Sequence, residues 1–283
     1  MAKEILDVVM EMRAKREPFA VATVVETAGS SSAKTGAKAV IDHDGHVVAG
    51  WVGGGCAEST TCHTALECMK SERTTVIDID LNDEVLGAGM PCGGSMRVYV
   101  EPVLPKPTLW IMGHGRVAEC LCLLGDLMGL RVVVNDPMVA HERYPAAERL
   151  ITDDMDYSQL TPAPDDYVVV ATQHKGDHQS MRRALRSQAG YIALIASRKR
   201  SRLVLDYLRQ ENFGDADLAR VMAPAGIDVG ARTPEEIALS VMTEIVMRRR
   251  TGSGAHMRDR LMRDDGATSD TKRTKAALTC LAP

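Results

Sequence analysis

The chain has 283 residues, 45% of them apolar and 25% charged, with a formal net charge of −4. That length suits two domains of ordinary size, and the composition is that of a globular protein. The acidic balance argues against a nucleic-acid partner, and no apolar run reaches membrane-spanning length. Charges within Met1–Asp7 leave no apolar core for a signal peptide, which predicts a cytoplasmic protein. Cysteines 56, 62, 68, 92, 120, 122 and 280 are odd in number and form no CxxC pair, so a zinc ribbon or a secreted disulfide framework is poorly supported. Aromatic residues make up 4% against 16 methionines, which predicts aliphatic and Met-rich cores and no base-stacking platform.

The first half reads as mixed α and β. Ile5, Val8, Val9 and Met12 lie on one face of a predicted helix over residues 3–15. Phe19 to Thr27 is rich in Val and Thr and predicts a strand. A hairpin follows over 37–42 and 46–52, turning at His43-Asp44-Gly45. Gly53-Gly54-Gly55 leads into a helix starting near Cys56 or Ala57, and 73–80 and 95–103 predict two more strands. Three prolines in Pro102-Val103-Leu104-Pro105-Lys106-Pro107 predict an extended linker, which places a domain boundary at 104/105.

Strand-helix alternation marks the second half. Strands are predicted at 108–112, 131–134, 167–171 and 191–196, and helices to Met128, over 177–188 and over 199–212. That rhythm predicts a parallel sheet with helices on both faces. Thr233-Pro234-Glu235-Glu236 supplies an N-cap threonine, proline at the first helical position and a capping-box glutamate. Ile237, Val241, Met242, Ile245 and Val246 would form the buried stripe of that helix. Arg248-Arg249-Arg250 would close it at the negative end of its dipole. Residues 251–283 lack apolar periodicity and predict a mobile polar tail. The fold class is therefore α/β: an N-terminal mixed α+β domain over 1–104, then a parallel-sheet, Rossmann-like domain over 105–250.

Two features carry chemistry. Cys56 and Cys92 each sit against glycines, in Gly53-Gly54-Gly55-Cys56-Ala57-Glu58 and Met90-Pro91-Cys92-Gly93-Gly94. Glycines allow close backbone approach, so thiols there are presented rather than packed, although either also fits a small filler at a tight turn. The second feature is Gly113-His114-Gly115-Arg116-Val117-Ala118, between a predicted strand and helix, with Asp136 ending the next strand about twenty residues on. Helix amides at this turn would hold a phosphate, Arg116 would add charge-assisted contacts, and Asp136 would meet a ribose hydroxyl and favour NAD over NADP. His174 and Ser197, past the ends of two further strands, would lie at the same sheet edge, where such folds place ligands. His174 also fits a solvated loop residue, and Ser197-Arg198-Lys199-Arg200 a solvated helix start. No Gly-x-Ser-x-Gly elbow supports a serine hydrolase.

Further segments complete a pattern: Glu26-Thr27-Ala28-Gly29-Ser30-Ser31, Gly36-Ala37-Lys38, Cys92-Gly93-Gly94-Ser95, Ala196-Ser197-Arg198-Lys199-Arg200 and Ala223-Pro224-Ala225-Gly226-Ile227-Asp228-Val229-Gly230-Ala231. With the motifs above and Thr233-Pro234-Glu235-Glu236-Ile237-Ala238-Leu239-Ser240, the chain over residues 3–250 resembles the XdhC/CoxI family, accessory factors of molybdenum hydroxylases such as xanthine dehydrogenase and carbon monoxide dehydrogenase. The resemblance implies a two-domain, commonly dimeric protein that holds the molybdenum cofactor during its maturation and passes it to an apo-hydroxylase. A cysteine desulfurase or another accessory protein would be a second partner. By motif, Cys56, Glu58 and Cys92 would form the first domain's pocket with Gly54 and Gly55. Gly113, His114, Gly115, Arg116, Val117, Asp136, His174 and Ser197 would form the nucleotide-like site. Ser32 and Ala33 after Gly-Ser-Ser, Thr35 in place of proline and Gln173 between Thr172 and His174 depart from the usual pattern and point to the carbon monoxide dehydrogenase branch. Two other readings stand beside this one: an NAD-dependent oxidoreductase using the glycine turn, and a copper(I) carrier using the soft thiolates of Cys56 and Cys92.

Overall fold

The computed structural model describes residues 4–81, 94–136, 143–172 and 176–259. The chain divides into two compact units, Met1–Pro105 and Lys106–Pro283. The first holds α1 (Ile5–Lys15), β1 (Phe19–Gly29), β2 (Lys38–Asp42), β3 (Val47–Gly50), α2 (Cys56–Ser71), β4 (Thr75–Asp80) and β5 (Gly94–Val103). Its five strands pair antiparallel in the order β3-β2-β1-β5-β4. Side chains of a strand alternate between faces, so β1 serves two helices. Ala20, Ala22 and Val24 pack with Val98 and Val100 beneath α2, through Ala57, Ala65 and Cys68. Phe19, on the opposite face, packs with Val40 against Val8 and Met12 of α1.

The second unit holds β6 (Thr108–Gly113), α3 (Arg116–Leu127), β7 (Arg131–Asn135), β8 (Arg149–Ile151), β9 (Tyr167–Ala171), α4 (Asp177–Leu185), β10 (Tyr191–Leu194), α5 (Arg198–Gln210), α6 (Asp215–Leu218), β11 (Val221–Met222) and α7 (Pro234–Arg249). The parallel sheet runs β11-β10-β9-β6-β7-β8. β6, β9 and β10 are buried along their whole length, as expected of strands covered on both faces. α3 and α7 pack on one face and α4 and α5 on the other. Strand order reverses between β6 and β9, the switch point at which such sheets open a crevice at their carboxyl ends.

Two devices fix the rims of this sheet. Asp166, buried just before β9, accepts from Thr108 N at 2.6 Å, from Ala163 N at 2.9 Å and from the Trp110 indole Nε1 at 3.3 Å. It thereby joins the amino ends of β6 and β9 beside the switch point. Beyond β11, the segment carrying Gly226 is tied to α7. Glu244 accepts from Gly226 N and from the Tyr191 hydroxyl, both at 2.8 Å, and Ser240 Oγ donates to Ile227 O at 2.6 Å.

The predicted capping box at 233–236 is present, with Pro234 opening the helix. The stripe is rotated from the expected one. Ala238, Val241, Met242 and Ile245 are buried while Val246 is exposed, as α7 packs beside α3 on one face of the sheet. β8, α6 and β11 are additions to the predicted elements; each is four residues or fewer. The expected mobile tail lies outside the described residues beyond 259. No helix among the described residues is long and apolar enough to cross a membrane.

Candidate functional sites

In parallel strands the carboxyl ends share one edge, so Gly113, Asp136, Thr172 and Ser197 all come to the same rim of the second unit. Gly113 ends β6 with φ +124°, and a Cβ built there would lie 2.4 Å from Ala171 O and 2.7 Å from Thr172 N. The glycine is therefore required by the neighbouring strand. His114 N donates to Ala171 O at 3.3 Å, which sets the turn against β9. Gly115, φ +91°, stands at the N-cap of α3 and no side chain caps the helix there. The first-turn amides of α3, with the positive end of its dipole, face the rim without a side-chain acceptor, which suits an anion.

Other expected residues are committed within the protein. Arg116 donates from Nε to Glu235 Oε1 at 2.8 Å and from an η nitrogen to Glu119 Oε2 at 3.4 Å. This exposed pair joins the first turns of α3 and α7, and the Arg116 hydrogen bond holds the Glu235 carboxyl below the usual carboxylate range. Asp136 is fully buried and accepts from the Tyr144 hydroxyl at 3.2 Å, so it presents no exposed oxygen to a ribose. Burial, then the Asp136 charge, pushes that phenol far above its ordinary value. Val117 packs against the α3–α7 core. Ser197 caps α5 by accepting from Arg200 N at 3.3 Å. His174 lies outside the described residues.

Sequence reading missed an ion pair at this rim. Asp177, 3% exposed at the start of α4, accepts from Thr172 Oγ1 and from Arg200 Nε. Its parts were visible as polar residues after two apolar strands, but not as partners. Nearby, Asn135 donates to Asp154 at 3.3 Å while its own buried Oδ1 has no partner among the described residues. Burial alone would raise Asp154; hydrogen bonds from Gln159 and Ser158 hold it below its ordinary value.

In the first unit three sequence motifs meet at one end of the sheet. Gly94 pairs with Gly29 across β5 and β1, and a Cβ on it would lie 2.5 Å from Ala28 O and 2.6 Å from Ser30 O. Gly53, φ +118°, would place a Cβ 3.2 Å from Ala57 Cβ, 3.6 Å from Ser32 Oγ and 3.9 Å from Met96 Sδ. Gly54 and Gly55 follow, and a Cβ at either would meet nothing within 4 Å. Cys56 opens α2 half-buried, its Sγ 4.0 Å from Thr60 Oγ1. Glu58 is half-buried one turn from Cys62, whose thiol is raised first by burial and then by the Glu58 and Asp42 charges. A cavity of about 400 Å³ opens at this end, lined by residues including Ala28, Asp80, Ser95, Met96 and Arg97. Arg97 bridges Asp78 at 2.9 Å and Glu26 at 3.3 Å, charges that lie on the outward period of three strands. Cys92 lies outside the described residues, and with it the expected thiol pair.

Cys120 and Cys122 are buried in the α3 core, and burial pushes the Cys122 thiol up to about 11. Thiolate is the reactive form. Iodoacetamide at neutral pH is therefore expected to modify Cys56 first among the described cysteines and to leave Cys122 untouched, as read by peptide mass mapping. Rapid labelling of Cys122 in the folded protein would contradict the packing.

Two family models match this chain. Residues 12–80 match the XdhC and CoxI family, and residues 109–245 match the XdhC Rossmann domain. The chain is XdhC-like in both of its units. The first match runs from the last turn of α1 to the end of β4 and includes Cys56; the second spans the glycine turn, the Asp177–Arg200 pair and Glu244. Among curated relatives, an Escherichia coli protein, "Uncharacterized protein YqeB", is 28% identical over 85% of this XdhC-like chain and 45% of its own. A probable xanthine dehydrogenase subunit of Bacillus subtilis is 32% identical over 54% of this chain and 46% of its own. The chain thus spans about half the length of these two relatives. "Molybdenum cofactor insertion chaperone PaoD" of Escherichia coli is 23% identical over 79% of this chain and 81% of its own. A solved structure described as a xanthine dehydrogenase from Bacillus halodurans aligns over 88% of this chain and 97% of its own, at 20% identity and a TM-score of 0.47.

Proposed function

We propose that this chain is an accessory factor that takes up a molybdenum cofactor as cargo and delivers it to an apo-molybdenum hydroxylase. The observation that carries this reading is the alignment with the insertion chaperone, which extends over about four fifths of both chains. The chemistry of the cargo fits the residues. A pterin phosphate or nucleotide tail is anionic, and α3 offers it uncapped amides beside a glycine that brings backbone close. A soft sulfur or metal centre suits a thiol, and Cys56 stands half-exposed at the head of α2 with two open glycines before it. In this role the chain's own residues bind and shield, while the redox chemistry belongs to the client.

The test mixes purified protein, molybdenum cofactor released from a hydroxylase and an apo-hydroxylase, and follows the client's recovered activity. Wild-type protein is expected to raise the yield of active client, and C56A combined with C92A to abolish the gain while leaving the fold intact by circular dichroism. Equal activation by the doubly substituted chain would remove the thiols from the reading. No gain from wild type would remove the chaperone role.

A further inference from the structure

We infer that the tip of the β2–β3 hairpin is a binding site for a divalent transition-metal ion of the zinc, nickel or cobalt class, held by Asp42, Asp44 and His46. The inference draws on residues that the cofactor reading does not use and stands independently of it. The turn reads Asp42-His43-Asp44-Gly45-His46, two carboxylates and two imidazoles within five residues. One oxygen from each of Asp42 and Asp44 and one ring nitrogen of His46 lie within 4.8 Å of one another. His46 Nδ1 stands 3.6 Å from Asp42 Oδ2, and His43 Nε2 stands 3.7 Å from Asp44 Oδ2. Those separations are too long for hydrogen bonds. They match the roughly 3.4 Å between neighbouring ligands of a tetrahedral ion whose bonds are about 2.1 Å long.

Backbone hydrogen bonds hold this set in place without consuming its ligand atoms. Asp42 Oδ1 accepts from Asp44 N at 3.0 Å and from His46 N at 2.8 Å, which locks the carboxylate and leaves Oδ2 beside the imidazole. Asp42 N donates to His46 O at 2.9 Å and Gly45 N to Asp42 O at 3.1 Å, closing the turn. A Cβ on Gly45 would lie 3.1 Å from Leu66 Cδ1, so the turn also packs down on α2. Charge points the same way. Three exposed carboxylates of this unit are paired with strong bases: Arg97 bridges Asp78 and Glu26, and Lys15 bridges Glu11. Among the described residues neither Asp42 nor Asp44 has a lysine or arginine partner, and each faces an imidazole instead. The imidazoles set the tip apart from a plain acidic cluster, because nitrogen ligands favour zinc, nickel and cobalt over magnesium and calcium. The Asp44 and His46 side chains are 64% and 76% exposed, so an ion reaches them directly from solvent.

The experiment is titration calorimetry of the full chain, kept reduced, with nickel(II) chloride as the probe. Wild type is expected to bind nickel, and magnesium in large excess to leave that binding in place. H46Q and D44N alter exposed side chains, so both should keep the wild-type unfolding midpoint. Each should weaken nickel binding by about tenfold or more, the lower end of what loss of even a supporting partner costs a metal site. H63Q removes an equally exposed imidazole, 3.9 Å from Glu67 on α2, and should leave the affinity unchanged. C56A should leave it unchanged as well. Wild-type affinity in H46Q and D44N, an equal loss in H63Q, or a loss in C56A without one in H46Q would overturn the assignment. Displacement by magnesium, or no nickel binding by wild type, would overturn it too.

Discussion

Alanine at Gly113 is expected to destabilise the second unit by roughly 2–4 kcal/mol, the range for a forced overlap added to an unfavourable backbone. Both causes act at this residue. Its φ of +124° lies where side chains are rarely found, and the added Cβ would meet the carbonyl oxygen of Ala171 at 2.4 Å. That oxygen belongs to β9, buried along its length, so it has no room to withdraw. Relief requires β6 and β9 to part at the switch point. The measurement is denaturant unfolding followed by Trp110 fluorescence, since that indole is 4% exposed and lies on β6 itself. A midpoint equal to wild type would show that the rim yields more easily than its burial implies. The same variant should activate a client less well even below its unfolding midpoint, because the amides of α3 move with the turn.

Substituting Gly94 is expected to do comparable damage to the first unit, about 2–3 kcal/mol, through sterics alone. Its backbone is not in the left-handed region, but an alanine Cβ would approach Ala28 O at 2.5 Å, Ser30 O at 2.6 Å and Ser30 N at 2.9 Å. All three are backbone atoms of the paired strand and the turn after it, and none can swing aside as a side chain would. Gly54 is the matched comparison: its φ is not positive and nothing lies within 4 Å of its missing Cβ. G94A should therefore lower the unfolding midpoint read from Trp51 fluorescence, while G54A leaves it near wild type. Equal midpoints for the two would mean that the β1–β5 end opens without resistance. Client activation should fail in G94A, because Ser32, next to Gly53, sits on the displaced turn.

Much of this architecture was written in local pattern. Val- and Thr-rich runs marked β1 and β9, and threonine, proline and glutamate at fixed offsets marked the start of α7. The alternation of the second half announced a parallel sheet. Elements of four residues or fewer, such as β8 and β11, carry too few residues to show a period and owe their existence to the strand beside them. The candidate sites were legible as glycine spacing and no further. Arg116 looked available until Glu235, 119 residues on, was seen to hold it. Asp136 looked like a ribose ligand, yet it is buried and accepts from the hydroxyl of Tyr144, eight residues on, a contact that no spacing rule predicts. Arg200 and Asp177, 23 residues apart, are partners because β9 and β10 are neighbours, and pairing of strands is a tertiary fact.

Asp166 gathers two backbone N–H groups and an indole at the rim opposite the glycine turn. Three donors on one carboxylate make the amino rim the hard end of the sheet, set independently of whatever the carboxyl rim is asked to hold. Loops at the carboxyl rim can then differ in length and charge without disturbing strand order, because the residues that lock the strands together lie at the other edge.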